Sequence, residues 1–228
     1  MPRRSPHCAH RARSEQMRQI DAAQFPRHTL PAELRDYPRW HRGRPHYAVW
    51  MVEVQQPALL AYIQQLQEQL ADLLHPPGAR QPHLTLFVCG FPQANQRYAD
   101  DFTPARLDSQ LQHLRPRAGS ACVLPLGAAD SFASAAFIPV YDPQQRLANW
   151  RQALAAGSRE IRQAEYIAHI TLGLYRQRIA AATLRQRLAA LPMPQHALQV
   201  ERLDYAHYAS SDQFSRLERQ LSISLAPR

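Results

Sequence analysis

Apolar and polar positions recur along this chain with two periods, one typical of strands and the other of helices. Runs rich in β-branched and aromatic residues predict strands over 46–54, 82–88, 121–127, 135–141, 166–174, 198–209 and 217–225. Leucines at helical spacing predict four helices, which begin near Pro57, Thr103-Pro104, Asp142-Pro143 and Ile179. The resulting order of elements, β-α-β-α-β-β-α-β-α-β-β, is quasi-repetitive.

This repetition predicts the fold class. In each half of the chain, one helix precedes a strand of similar composition (82–88 or 166–174) and another helix follows it. We therefore expect an α+β fold of two pseudo-symmetric lobes. Each lobe would be a mainly antiparallel sheet with helices packed on its outer face, and the active cleft would lie between the lobes.

Residues 1–44 lack any core pattern and predict a basic Pro/Arg-rich arm that is partly disordered. They hold ten Arg against four acidic residues, and prolines interrupt them repeatedly. A short helix over 14–23 fits the composition. For Tyr37 and Trp40 two roles stay open, since these rings could fold back onto the domain or clamp RNA together with arginines. Residues 45–228 form the predicted folded domain.

Two of the predicted strands carry the same polar pair. His83 and Thr85 lie in Pro-His-Leu-Thr-Leu, and His169 and Thr171 follow 86 residues later in Ala-His-Ile-Thr-Leu. Because side chains alternate along a strand, each His shares a face with its Thr while the apolar neighbours point into the core. One such pair is weak evidence, because a His at a strand end and a β-branched Thr are common. Two pairs in matching runs favour a functional site.

Two imidazoles that face one cleft suit in-line displacement at phosphorus. A neutral His can take a proton from the attacking group, and a protonated His can give one to the leaving oxygen. The Thr hydroxyls can donate hydrogen bonds to the phosphoryl oxygens, where negative charge grows. The chain has no H-E-x-x-H or G-x-S-x-G motif, and its three cysteines have no metal-binding or redox spacing. We therefore expect neither a metal nor another cofactor.

These two His-x-Thr motifs resemble those of the 2H phosphoesterase superfamily, and among its branches the 2'-5' RNA ligase and RNA 2',3'-cyclic phosphodiesterase branch. The resemblance extends over about residues 46–228. It implies that His83 and His169 act as general acid and base, and that Thr85 and Thr171 hold the phosphate. It also implies a two-lobed domain with one motif from each lobe.

Two positions depart from the family pattern. Ala168 stands where the family often has Pro, and Leu174 stands where it often has a basic residue. Arg176 or Arg178 would then have to supply the phosphate contact.

Two aromatic residues, Phe87 and Tyr175, share the parity of the motif side chains, so we expect them to line the cleft and bind substrate. By the same parity, Gly173 would leave room for substrate.

Charge and targeting signals limit the partners and the location that we expect for this protein. All 27 basic residues are Arg, and the net charge is +9. A polyanionic partner such as RNA would account for this excess, and so would a coding bias towards Arg. We find no apolar run long enough to cross a membrane and no secretion signal. We therefore expect a cytoplasmic monomer that acts on RNA or a nucleotide with a cyclic phosphate.

Three functional hypotheses follow from these patterns. The first is hydrolysis of 2',3'-cyclic phosphate ends of RNA or oligonucleotides, with reversible 2'-5' ligation left open. The second keeps the chemistry and takes a small cyclic nucleotide or a 2'-5' oligoadenylate as substrate. The third is a non-catalytic module that binds RNA ends. The sequence does not say which His is the acid and which is the base.

Overall fold

The computed structural model describes residues 26–162 and 165–227. The helix predicted over 14–23 lies outside these residues. No helix within the described residues is long and apolar enough to cross a membrane. The described helices are α1 Pro38–His41, α2 Pro57–Gln69, α3 Pro104–Leu114, α4 Arg146–Gly157 and α5 Ala181–Ala189, and a short 3-10 turn follows α3 at Arg115–Arg117. The strands are β1 His46–Glu53, β2 His83–Pro92, β3 Asp101–Phe102, β4 Cys122–Leu124, β5 Asp130–Ser131, β6 Ala135–Pro139, β7 His169–Leu174, β8 Leu198–Val200, β9 Arg202–Ala209 and β10 Glu218–Ser224.

Eight of these strands form one large sheet. Its order is β10-β9-β1-β2-β7-β6-β5, and β3 pairs with the end of β2. All pairings along this path are antiparallel, whereas β3 is parallel to β2. Strands β4 and β8 form a separate two-stranded sheet. The α+β class predicted from the sequence is therefore confirmed.

The two predicted lobes correspond to the two halves of this sheet. Strands β1, β2, β9 and β10 form one half, and β5, β6 and β7 form the other. One bridged residue pair, Leu84 with Ile170, joins the halves. The two motif strands are thus neighbours at the junction of the two halves.

The main core lies on one face of the sheet, under α2 and α4. Trp50, Leu84 and Ile170 are fully buried there with Trp150 of α4. The other face carries two smaller apolar clusters, which are separated by the motif strands. One cluster lies on β1 and β9 and includes Met51, and the other contains Phe132, Ala135, Phe137 and Ile167. This second face therefore has a polar strip between two apolar patches.

Residues 26–44, which we call the N-terminal strap, pack against both halves. Thr29 is fully buried, and its hydroxyl accepts a hydrogen bond from the amide of Ile179 at 2.8 Å. At the other end, the Arg44 guanidinium binds Asp101 at 2.5 Å. Trp40 lies 5.0 Å from the Tyr47 ring, so it folds back onto the domain. Hydrogen bonds, an ion pair and ring contacts thus hold the described part of the predicted arm.

Candidate active site

The structure brings the four motif side chains together on one face of the sheet. Leu84 and Ile170, the residues between each His and Thr, pair across β2 and β7 and point into the main core. In an antiparallel pair this register places His83 opposite Thr171 and Thr85 opposite His169. The two imidazoles are then diagonal neighbours, a relation that corresponds to roughly 7–8 Å between backbone positions. The two rings therefore lie on the same face of adjacent strands.

Both imidazoles are oriented by the same backbone contact. Nδ1 of His83 lies 2.8 Å from the carbonyl oxygen of Gln81, and Nδ1 of His169 lies 2.6 Å from that of Ile167. A carbonyl oxygen can only accept a hydrogen bond, so Nδ1 carries the proton in each ring. In a neutral ring with this tautomer, Nε2 is the nitrogen that can accept a proton. No residue pattern reveals these acceptors, because they are main-chain atoms two residues before each His.

The surroundings of His83 favour its neutral form. Burial is the main cause and lowers the pKa of His83 to about 4, although the Gln81 carbonyl raises it. The positive charges of Arg80 and His169 lower the pKa further. Desolvation and like charge both penalise a charged imidazole. His83 is therefore neutral at pH 7 and can accept a proton.

His169 is held against an aromatic wall. Its ring makes edge contacts with Phe132 at 4.9 Å and Phe137 at 5.4 Å between centroids. Both phenylalanines belong to the hairpin of β5 and β6 and are buried. Together with the Ile167 carbonyl, these rings fix the plane of the imidazole. The second half of the sheet thus presents His169 in one defined orientation.

A β-bulge follows each motif at the same offset. On β2, Thr85 pairs with Met51 but Phe87 pairs with Trp50, which leaves Leu86 as the extra residue. On β7, Thr171 pairs with Phe137 but Gly173 pairs with Ala136, which leaves Leu172 as the extra residue. A bulge reverses the alternation of side chains beyond it. The pseudo-symmetry therefore extends from the motifs to the backbone irregularity after them.

The two bulged leucines also have equivalent hydrogen-bond partners. The carbonyl oxygen of Leu86 accepts from the Arg151 guanidinium at 2.6 Å, and that of Leu172 accepts from the Gln67 side-chain amide at 2.8 Å. Arg151 lies on α4, which precedes β7 in the chain, and Gln67 lies on α2, which precedes β2. Where β2 and β7 separate, these carbonyl oxygens no longer pair between the strands. Side chains on the helices donate hydrogen bonds to them instead.

Burial corrects two expectations drawn from strand parity. Phe87 is 1% exposed and lies in the main core, so the expected substrate contact was wrong. Tyr175 is fully buried, and its hydroxyl lies 2.7 Å from the Ser131 hydroxyl. It cannot contact substrate from there. Gly173 lines a cavity that His83 and Thr171 also line, and a Cβ there would come within 2.9 Å of the end of the Leu74 side chain. The room expected there for substrate stays a prediction.

The two arginines expected to bind phosphate are exposed beyond the end of β7. The Arg176 guanidinium donates to the carbonyl oxygen of Asp72 at 3.0 Å, and Arg178 lies on the surface. Their phosphate contact stays a prediction. Arg80, which the sequence analysis missed, lies nearer to the chemistry, because it lowers the pKa of His83 and lines a cavity beside it. No spacing rule singles out this position.

This cavity opens next to one corner of the motif cluster. It has a volume of about 130 Å³, and His83 and Thr171 both line it. The loop between α2 and β2, the end of β7 and Phe214 supply its other walls. Among the described residues, no group of three or more His, Cys, Asp or Glu side chains is placed to hold a metal ion.

Two His-x-Thr strands that meet on one face of an α+β sheet define the site of a 2H phosphoesterase. The family model of the 2'-5' RNA ligase superfamily matches residues 53–212, and the chain belongs to this family. Its class is therefore that of phosphoesterase- or ligase-type enzymes. A search of curated protein sequences gives no significant match.

Solved structures agree in fold. Apo LigT from E. coli is 16% identical with a TM-score of 0.56, and the alignment covers 81% of this chain and 99% of that chain. TT0787 from Thermus thermophilus is 15% identical with a TM-score of 0.55, and the alignment covers 80% and 99%. A structure described as a phosphoesterase is 16% identical with a TM-score of 0.53, over 80% and 99%. At this identity the likeness establishes the fold alone.

Proposed function

We propose that this protein is a metal-independent phosphodiesterase that hydrolyses 2',3'-cyclic phosphate ends of RNA or oligonucleotides, with reversible 2'-5' ligation as a second reaction in which a ribose hydroxyl opens the same cyclic phosphate. One observation carries the proposal. Two imidazoles, each anchored through Nδ1 to a main-chain carbonyl, lie diagonally across β2 and β7 with a Thr beside each. This arrangement supplies a proton acceptor, a proton donor and phosphate ligands around one phosphorus atom.

The low pKa of His83 favours this residue as the base of the proposed reaction. In hydrolysis, Nε2 of neutral His83 takes a proton from water as the water oxygen bonds to phosphorus. The bond from phosphorus to one ribose oxygen breaks, and Nε2 of protonated His169 gives its proton to that oxygen. The products are a phosphomonoester and a free hydroxyl. In ligation a ribose hydroxyl replaces water, and no step needs a metal because imidazoles carry both protons.

The remaining groups stabilise charge on the phosphoryl oxygens. The hydroxyls of Thr85 and Thr171 donate to the non-bridging oxygens from opposite strands. Arg80 adds a positive charge on the His83 side of the site. One such donor in a preorganised site changes turnover by roughly 100-fold or more.

Ligands of similar structures agree with a nucleotide substrate. LigT from E. coli has been solved with 3'-AMP and with phosphate, at 13% and 15% identity to this chain. A nucleoside monophosphate has the form of a product of ring opening. We therefore favour a nucleotide end over an unrelated phosphodiester.

The test is turnover of a nucleoside 2',3'-cyclic phosphate and of an RNA with that end. His83→Ala and His169→Ala should each lower kcat by roughly 100-fold or more, since each removes one proton-transfer step. Activity should survive EDTA. His196→Ala, which changes an exposed His outside the motifs, is the matched control. Near-normal turnover by both motif variants would overturn the proposal, and tight binding of the end without turnover would favour a binding module.

A further inference from the structure

The cavity beside His83 and Thr171 has the size and lining of a ring-binding site. A cavity of roughly 150 Å³ admits benzene. This one, with about 130 Å³, is close to that size. Leu74, Pro76 and Pro77 form apolar walls. A flat apolar group therefore fits it better than a second phosphate does.

Two aromatic rings form a corner of this cavity. The His75 and Phe214 centroids lie 6.5 Å apart, with the ring planes inclined at 62°. Side chains that can hydrogen-bond, Gln67, Arg80 and Gln81, also line the cavity. Aromatic surface together with polar groups is what recognises an unstacked nucleobase, because its face stacks and its edge bonds. The lining therefore suits a base.

The Phe214 wall is built before any ligand arrives. Phe214 sits so close to Gly78 that a Cβ on this glycine would lie 2.4 Å from the Phe214 Cβ. On its C-terminal side, the carbonyl oxygen of Ser215 accepts from Arg80 at 3.1 Å, and the amide of Leu217 donates to Gln81 at 3.0 Å. A wall fixed in this way loses little freedom when it binds a ligand.

The N-terminal strap supports both rings from outside. Nε2 of His75 donates to the carbonyl oxygen of Ala32 at 2.9 Å. Gln213, the neighbour of Phe214, donates to the carbonyl oxygen of Glu33 at 3.2 Å. The strap precedes residues 53–212, which the family model matches. This chain thus uses a segment outside that region to brace the cavity.

We propose that this cavity is a nucleobase subsite, which receives the base of the nucleotide that carries the cyclic phosphate. The inference rests on the proposed function and names its substrate class as base-bearing nucleotides. A base that stacks on Phe214 would leave its ribose and phosphate beside His83 and Thr171, which line the same cavity. The subsite then delivers the phosphorus atom to the two imidazoles.

The experiment compares cytidine 2',3'-cyclic phosphate with ribose 2',3'-cyclic phosphate, which has no base. Phe214→Ala should lower kcat/KM for the cytidine substrate by roughly 10- to 100-fold, mainly through KM, which is the effect of losing one base stack. The loss on the base-free substrate should be much smaller. His75→Ala should show the same split if Phe214→Ala fails to fold. Tyr141→Ala removes another exposed ring outside the cavity and is the control.

Each outcome has one meaning. Equal losses on both substrates, or no loss on either, would overturn the subsite. If the unmodified protein cleaves neither substrate, the proposed function fails, and equilibrium binding of cytidine 3'-monophosphate then decides the inference. Binding to the unmodified protein that Phe214→Ala weakens by roughly 10-fold or more supports the subsite, whereas equal or absent binding overturns it.

Discussion

The side-chain amide of Gln81 forms two hydrogen bonds with the backbone of Leu217. Nε2 donates to the Leu217 carbonyl at 2.9 Å, and Oε1 accepts from the Leu217 amide at 3.0 Å. The main-chain carbonyl of the same Gln81 holds Nδ1 of His83. One residue therefore connects the loop between β9 and β10 to an imidazole of the candidate site. The Gln81 side chain thus supports the main chain that orients His83.

We expect Gln81→Ala to lower both stability and turnover. Loss of two hydrogen bonds should lower the free energy of unfolding by about 1–3 kcal/mol. A less firmly held His83 should lower kcat by roughly 10-fold, since small misplacements of a catalytic group are costly. Denaturant unfolding and steady-state kinetics measure the two effects. Gln220→Ala, at an exposed Gln on β10, is the control, and unchanged kcat despite lower stability would show that Gln81 is only structural.

The pH dependence of kcat/KM should report the low pKa of His83. A base must be neutral to act, so activity should persist as pH falls below the ordinary His pKa of about 6.5. It should be lost as pH falls through about 4. Arg80→Gln removes a nearby positive charge, so the pKa of His83 and the acid limb should both move up. An acid limb near the ordinary value would contradict the assignment of His83 as the base.

The contacts of Arg151 and Gln67 with the bulged leucines should hold the two Thr residues in place. Arg151→Met and Gln67→Leu each leave a carbonyl without its partner, which should lower the free energy of unfolding by about 1–3 kcal/mol. Inhibition by inorganic phosphate should also weaken, because Thr85 and Thr171 directly precede the bulges. Gln65→Leu, at an exposed position on α2, is the control. If phosphate inhibits these variants as strongly as it inhibits the unmodified protein, the contacts at the bulges do not contribute to phosphate binding.

The arginines that precede the strap should matter only for long RNA. Replacing them with Gln should weaken binding of a long RNA and reduce its salt dependence, with the slope falling by about 0.7 for each lost phosphate contact on a single strand. Turnover of a mononucleotide substrate should stay unchanged. The five residues are Arg3, Arg4, Arg11, Arg13 and Arg18. An unchanged salt slope would favour coding bias as the origin of the positive charge.

Sequence periodicity predicted the α+β class, because amphipathic patterns reflect burial directly. It failed beyond each motif Thr. Leu86 and Phe87 are consecutive apolar residues that both point into the core, and Leu172 and Gly173 repeat this arrangement on β7. An unbroken apolar run looks the same with or without a bulge. Parity could therefore not reveal that Phe87 leaves the substrate face.

The strap was invisible to periodicity for another reason. Leu30 and Ala32 dock through backbone amides, which donate to the carbonyl oxygens of Ala133 at 2.7 Å and Tyr175 at 2.8 Å. Main-chain hydrogen bonds require no particular side chain, so a Pro-rich segment without a core pattern can still be anchored. The base-binding corner was missed likewise, because His75 and Phe214 meet only through the fold.

The anchoring of Thr29 also sets an order of events during synthesis. Its hydroxyl partners, Gln177 and Ile179, lie 148 and 150 positions further along the chain. A ribosome that has released the strap must therefore translate most of the domain before these partners exist. Closure of such a long loop comes late in folding. The contacts of Thr29, among the first described residues of the chain, are thus among the last to form.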